Sequence, residues 1–291
     1  MESTLDDEFV IQMDDSPPFS WIRQTPNRFM SCALGRKIDH LEIGAIGNSL
    51  LMSKMARDVI GKEKLQAGTF SSTSSGEDSC IISYSGQLRD ALRALEAANH
   101  KGIVISSGGM IKKLARSKGW DYLPLPKGYP TMFLFPEIFG CLLSLYGMKV
   151  DIPDMEEFIE SNSPSEIIEV NEAKRLAMLL DKEEFRILYD EKSEGLATMY
   201  TRIFKSYSGM NFDTKNIEDI NSRIEEGKDN LRSISFVGKG ASSEDKLVGN
   251  FPYDCNSVAG YVKNFIIAQF ASLYLGILRS KEIELFDREV E

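Results

Sequence analysis

Two rhythms of apolar and polar positions run along most of the chain. Short runs rich in Ile, Val and Leu end in turns of Gly, Ser and Asn. Each turn leads into apolar positions spaced three and four apart. The first rhythm belongs to buried strands and the second to helices with one apolar face. The pattern predicts strands over 41–46, 65–70, 80–82, 102–106 and 120–125. Between them fall a helix through Leu51, Met55, Val59 and Ile60, one through Leu88, Ala91, Leu92, Leu95 and Ala98, and a short one with Leu114 on its apolar side. Beyond residue 165 the rhythm resumes, with helix over 166–180, strand over 185–189, helix over 196–207, strands over 233–237 and 246–249, and a long helix over 258–278.

Strands alternating with helices predict an α/β fold in which each domain is a mostly parallel, doubly wound sheet flanked by helices. Four segments follow: a poorly regular lead-in over 1–35, a first domain over 36–150, a polar, proline-punctuated linker over 151–164, and a second domain of the same architecture over 165–291. Ser16-Pro17-Pro18 and Thr25-Pro26-Asn27 mark turns in the lead-in, and Trp21, Phe29 and Met30 are expected to staple it onto the domain that follows. Two apolar stretches, 129–147 and 265–278, read as buried core helices. Pro130, Pro136 and Glu137 interrupt the first, and the second is too short to span a bilayer.

Composition adds limits. A hydrophobic content of 42% against 27% charged residues is that of an ordinary globular protein. The net charge of −10 argues against a nucleic-acid surface. The acidic first residues lack the basic and apolar regions of a signal peptide, so the expectation is a cytoplasmic protein with no membrane partner. Cys32, Cys80, Cys141 and Cys255 are far apart, without a CxxC pair, and read as reduced core residues, not as disulfides or zinc ligands.

The stretch over 80–90 carries the chemistry. An apolar strand runs through Ser83-Tyr84-Ser85-Gly86 into Gln87 and a helix, so hydroxyls and orphan backbone N–H groups meet at a helix N-terminus, a favourable place for a phosphate. The alternative is that Ser83 or Ser85 is only an N-cap. Two more turns of small residues, Gly44 to Ser49 (with Gly47 and Asn48) and Ser107-Gly108-Gly109, are expected to converge with it. In open α/β sheets ligands bind outside the carboxyl ends of the strands, where strand order reverses.

These residues resemble the phosphate-binding motif of the sugar isomerase (SIS) domain family. The order of landmarks is similar to that of the archaeal and bacterial bifunctional phosphoglucose/phosphomannose isomerases: a Gly-x-x-Gly turn, Ser-Tyr-Ser-Gly, a Gly-Gly turn, a proline-bearing helix start and an Ile-Pro linker. The resemblance covers residues 36–291 and is strongest over 41–153. It implies a homodimer without metal or cofactor that isomerises hexose 6-phosphates between aldose and ketose through an enediol. Such a reaction needs a phosphate cradle, a base for the C1/C2 proton and an acid to open the ring. Ser83, Ser85, Gly86, Gly44 and Gly47 match the family, while Gln87-Leu88 stands for its Asn-Thr and Asn48, followed by Ser49, for a serine. Arg89 is a candidate to compensate, or faces solvent.

The resemblance also implies functional groups that this chain lacks at the matching positions. Thr131 follows Pro130 where the family has arginine; Lys205 and Ser206 stand near its base glutamate, and Phe270 near its late lysine. The two histidines, His40 and His100, lie in the first half, where structural roles are expected. Glu194, Glu218, Glu225 and Glu226 are weak replacements for the base, and Lys239, between two glycines, is a loop cation for phosphate or for solvent. Two readings follow from the resemblance: a diverged sugar-phosphate isomerase whose catalytic set is unassigned, and a non-catalytic sugar-phosphate sensor or regulatory protein.

Overall fold

The computed structural model describes residues 5–6, 8–32, 38–70, 78–182, 185–217, 232–235, 247–250 and 253–279. These form two compact units, one of residues 28–150 and one of residues 5–27 with 151–279. The lead-in is more regular than its composition predicts, with short helices Glu8–Gln12 (α1) and Phe19–Arg23 (α2). Most of it clusters with residues beyond 151, not with the domain that follows it in sequence. Trp21 therefore belongs to that unit, where neighbouring Phe19 packs on Phe270 and Tyr274 at ring separations of 6.1 and 5.5 Å. Phe29 and Met30 do meet the first unit, Phe29 edge-on to Phe135 and Met30 backbone against Gly140.

In the first unit Leu41–Gly44 (β1) leads through Gly47–Ile60 (α3) to Leu65–Gly68 (β2), and Ser79–Ile82 (β3) through Arg89–Ala97 (α4) to Ile103–Ser106 (β4). Gly109–Lys118 (α5), Asp121–Pro124 (β5) and Phe135–Leu145 (α6) follow. Among the described residues every strand pairing is parallel, in the order β2-β1-β3-β4-β5. Helices cover both faces. Ile81 and Val104 pack on Ala91 and Leu95 of α4 and on Ile111 and Ala115 of α5, while Cys80, the preceding strand position and equally buried, belongs to the opposite face. This double covering is why β3 and β4 are buried at every position and read as apolar runs.

Within the stretch expected as a linker, Met155–Glu160 (α7) buries Met155, Phe158 and Ile159. The next helix, Glu172–Lys182 (α8), starts later than its apolar spacing predicts. Asn171 caps it, its Oδ1 accepting the Lys174 N–H at 2.8 Å, and the residues before Asn171 wrap the buried Lys174 ammonium. That ammonium donates to the Pro164 and Glu166 carbonyls and to Asp6 Oδ1 at 3.1, 2.6 and 3.0 Å.

Phe185–Tyr189 (β6), Glu194–Ser208 (α9), Asp213–Asn216 (β7), Arg232–Ser235 (β8) and Leu247–Asn250 (β9) repeat the first arrangement, with parallel order β7-β6-β8-β9. Val258–Leu278 (α10) packs on α8 and α9. It is long and apolar enough to cross a membrane by length and composition alone, and 83% of its most apolar window is buried within the protein. The four cysteines are buried and free.

Candidate functional site

The order β2-β1-β3-β4-β5 reverses between β1 and β3, so the crevice outside their carboxyl ends is where an open α/β sheet takes a ligand. Two of the turns singled out from the sequence lie there. Gly44 is still a strand residue, in register with Gly68 and Ile81, so the turn proper comes after it. Gly47 opens α3 at φ +58° with open space where a side chain would stand, and Asn48 and Ser49 are buried in the helix's first turn. Neither α3 nor α4 has a side-chain N-cap; the residue before α4 is Leu88, in extended conformation. Ser83 and Ser85 are therefore not caps. Ser85 Oγ accepts the Gln87 N–H at 3.3 Å, which holds Gln87 at the exposed mouth and delays the helix to Arg89.

Ser83 is the most telling of these residues. It is 1% exposed, its N–H is bonded to Ile105 O at 3.1 Å, and its buried hydroxyl has no hydrogen-bond partner among the described residues. An unsatisfied buried hydroxyl costs about 1–3 kcal/mol and calls for an explanation, a bound group being one.

The third turn closes against the second. Tyr84 O accepts the Ser107 N–H at 3.0 Å, the Ser107 hydroxyl at 2.7 Å and the Ser106 hydroxyl at 3.3 Å. Ser107 is thus committed to holding the turn. Gly108 and Gly109 lie at φ +149° and +71°, and Gly86 at +65°, so each takes a conformation that favours glycine. The Tyr84 hydroxyl accepts the Gly128 N–H at 3.2 Å, tying the loop after β5 to the same place. Lys127, beside it, sets its Nζ 3.9 Å from the point that a Cβ on Gly108 would occupy. Lys127 was not singled out by sequence reasoning. Its signal was a Pro-Lys-Gly turn at the carboxyl end of a parallel strand.

Asn48 and Thr131 also come together, the Asn48 amide donating to Thr131 Oγ1 at 3.0 Å, which joins the start of α3 to the turn before α6. A few residues on, Arg28 makes a two-point ion pair with the buried Glu137, Nε to Oε1 at 2.8 Å and Nη2 to Oε2 at 3.0 Å. It also donates to Phe133 O and lies 3.9 Å over the Tyr129 ring. Burial pushes the Glu137 carboxyl above its ordinary value, and the Arg28 charge pulls it back.

Other candidates lie elsewhere. Arg89 is exposed, and Lys239, Glu218, Glu225 and Glu226 are outside the described residues. His40 precedes β1 and is exposed. His100 shares a hydrogen bond with Ser79, the first residue of β3, at 2.7 Å and lies against Trp120, so both histidines sit at the amino ends of strands. In the other unit Lys205 and Ser206 are exposed and Phe270 is packed on Phe19, while Glu194 opens α9 after β6. Among the described residues no group of three or more His, Cys, Asp and Glu side chains is placed to hold a metal.

No family model matches the chain. The D-glucosamine-6-phosphate 4-epimerase of Sulfolobus acidocaldarius is 38% identical over 89 residues, a match spanning 28% of this chain and 29% of that protein's length. Solved structures match over nearly all of both chains. A glucose-6-phosphate isomerase like protein from Thermus thermophilus superposes with a TM-score of 0.64 at 14% identity, covering 96% of this chain and 94% of its own. Glucosamine-6-phosphate deaminase from Thermotoga maritima gives 0.58 at 13%, covering 95% of each. The C-terminal domain of glucosamine-fructose-6-phosphate aminotransferase from Francisella tularensis gives 0.55 at 15%, covering 93% and 94%. At these identities the likeness is one of fold, and the fold is the SIS type that the Ser-Tyr-Ser-Gly element predicts.

Proposed function

We propose, from a fold shared with phosphosugar proteins, that the chain binds a hexose 6-phosphate or its 2-amino analogue at the β1/β3 switch point. The phosphate lies against Ser83, Ser85, Gly86 and Gln87 from one side and Gly47, Asn48 and Ser49 from the other. The observation that carries the reading is the buried hydroxyl of Ser83, without a partner among the described residues, at the carboxyl end of β3. Backbone N–H groups at the starts of α3 and α4, neither capped by a side chain, supply further donors. The amino-sugar arm is supported by the 38% identity to an enzyme of D-glucosamine 6-phosphate. The reaction class is aldose–ketose isomerisation, carried out by a cytoplasmic homodimer.

A second reading, a sugar-phosphate sensor without turnover, is favoured by Thr131, which is buried against Asn48, and by Phe270, which is packed in a core, at two positions where the resemblance implies charged groups. Calorimetry with fructose 6-phosphate, glucose 6-phosphate and glucosamine 6-phosphate tests the binding. Proton NMR of the same mixtures in D2O then follows deuterium entering at C1 or C2. Binding with exchange supports the isomerase, and binding without exchange supports the sensor. Absence of binding to all three sugars sinks both.

A further inference from the structure

We infer that Lys127 is the cation of this phosphate site, a role that rests on the reading above and gives it its charge. The cradle as built from Ser83 to Gln87 and from Gly47 to Ser49 offers hydroxyls, amides and helix termini but no positive side chain; Arg89, on α4, and Lys127, on the loop after β5, are both exposed, and it is Lys127 that is set against Gly108. A sugar phosphate is a dianion, and a charge-assisted bond to a lysine holds a phosphate oxygen more strongly than a neutral donor does. Lys127 Nζ hangs over Gly108, whose carbonyl oxygen touches the place where a Gly86 side chain would be. The ammonium thus stands at Gly108, in the turn that packs against the Ser83–Gly86 turn, with no side chain on Gly108 to screen it.

Two further observations place it there. Its loop is not loosely hung: the Gly128 N–H donates to the Tyr84 hydroxyl at 3.2 Å, and the Tyr84 carbonyl accepts from Ser106 and Ser107. One residue therefore couples the loop bearing the lysine to the turn bearing Ser83. Lys127 also makes no ion pair or hydrogen bond among the described residues, so no carboxylate there neutralises it. By contrast Lys118 is spent on the carbonyls of Glu96 and Ala98.

The unit contains its own control. Lys101 Nζ lies 3.9 Å from the Cβ position of Gly119, the same local relationship, but it precedes β4 and so stands at the amino end of the sheet. Titration of wild type, K127Q, K127R, K101Q and S83A with fructose 6-phosphate, glucosamine 6-phosphate and inorganic phosphate at two salt concentrations tests the assignment. The expected result is a loss of about tenfold in affinity for all three ligands in K127Q and a weaker salt dependence. K127R recovers much of the loss, and K101Q matches wild type. Thermal unfolding of K127Q at the wild-type temperature shows that the fold is kept.

If S83A loses binding while K127Q does not, Lys127 has no such role and the sugar-phosphate reading stands. Equal losses in K127Q and K101Q reduce the effect to the general field of the protein and overturn the assignment. If wild type binds none of the three, both the site and its cation are wrong.

Discussion

A Cβ placed on Gly86 would run into the carbonyl oxygen of Gly108, with Ile111 Cγ2 and Ser106 Oγ 2.8 Å away, so at this point the turn after β3 meets the main chain of the turn after β4. The contact is closed by the Ile111 N–H, which donates to Gly86 O at 3.0 Å. Close approach at the phosphate cradle is therefore a packing requirement as well as a conformational one, and it is open to direct test.

Gly86→Ala combines a left-handed backbone with overlap on a neighbouring main chain and should cost about 2–4 kcal/mol. Gly47→Ala has a similar backbone angle but open space around it, so only the conformational part remains, about 1–2 kcal/mol. Urea unfolding of the two variants should keep that order. Equal destabilisation would mean that the Gly86–Gly108 contact yields easily.

Ser83→Ala should separate stability from binding. Removing a buried hydroxyl that has no partner among the described residues leaves nothing unsatisfied, so unfolding free energy should hold or rise by up to about 1 kcal/mol. Sugar-phosphate affinity should fall about tenfold or more. A clear loss of stability would show that the hydroxyl has a structural partner.

Arg28→Met strips the counter-charge from a buried carboxyl and should cost about 3–5 kcal/mol near neutral pH. The pH dependence has a definite sign. Burial holds Glu137 above its ordinary value, so just above the ordinary carboxylate range the folded chain binds more protons than the unfolded one, and this group's contribution to stability falls as pH rises. Without Arg28 the shift grows, so the penalty of the variant should shrink on acidification from pH 7.5 towards about 5.5. Unfolding at both values measures it, and a penalty independent of pH would exclude the mechanism.

Lys174→Met should cost about 3 kcal/mol or more, because Asp6 and the Pro164 and Glu166 carbonyls lose a donor that no methionine replaces. With Asp6 left to the Ile168 N–H, which donates to its Oδ2 at 3.3 Å, limited proteolysis should cut the lead-in earlier than in wild type. Unchanged digestion would show that the Phe19 contacts with Phe270 and Tyr274 suffice to hold it.

Apolar periodicity located β3, β4, β6 and α10 within a residue or two because each is largely buried and mostly apolar, even with Arg186 inside β6 and Lys263 inside α10. It missed β7, Asp-Thr-Lys-Asn, which has no apolar residue to mark it and is a strand only because it pairs along β6 at the sheet edge. It misjudged the start of α8 because Asn171 and the needs of the buried Lys174, reaching back to Asp6, set that boundary. It attached Trp21 to the wrong unit, since an aromatic residue in a lead-in reveals that it will be buried but not against what.

The same division runs through the candidate site. Local order along the chain was enough to determine the alternation of strands and helices, the turns after β1, β3 and β4, and the hydroxyl-bearing segment, because each depends on neighbours a few residues apart. Strand order had to be decided in three dimensions. Only the placement of β3 beside β1 makes a switch point, and only folding isolates the Ser83 hydroxyl, joins Asn48 to Thr131 and brings Lys127 over Gly108. Those relationships link residues far apart in the chain, and burial and close approach are properties of the packed molecule that no spacing of residue types records.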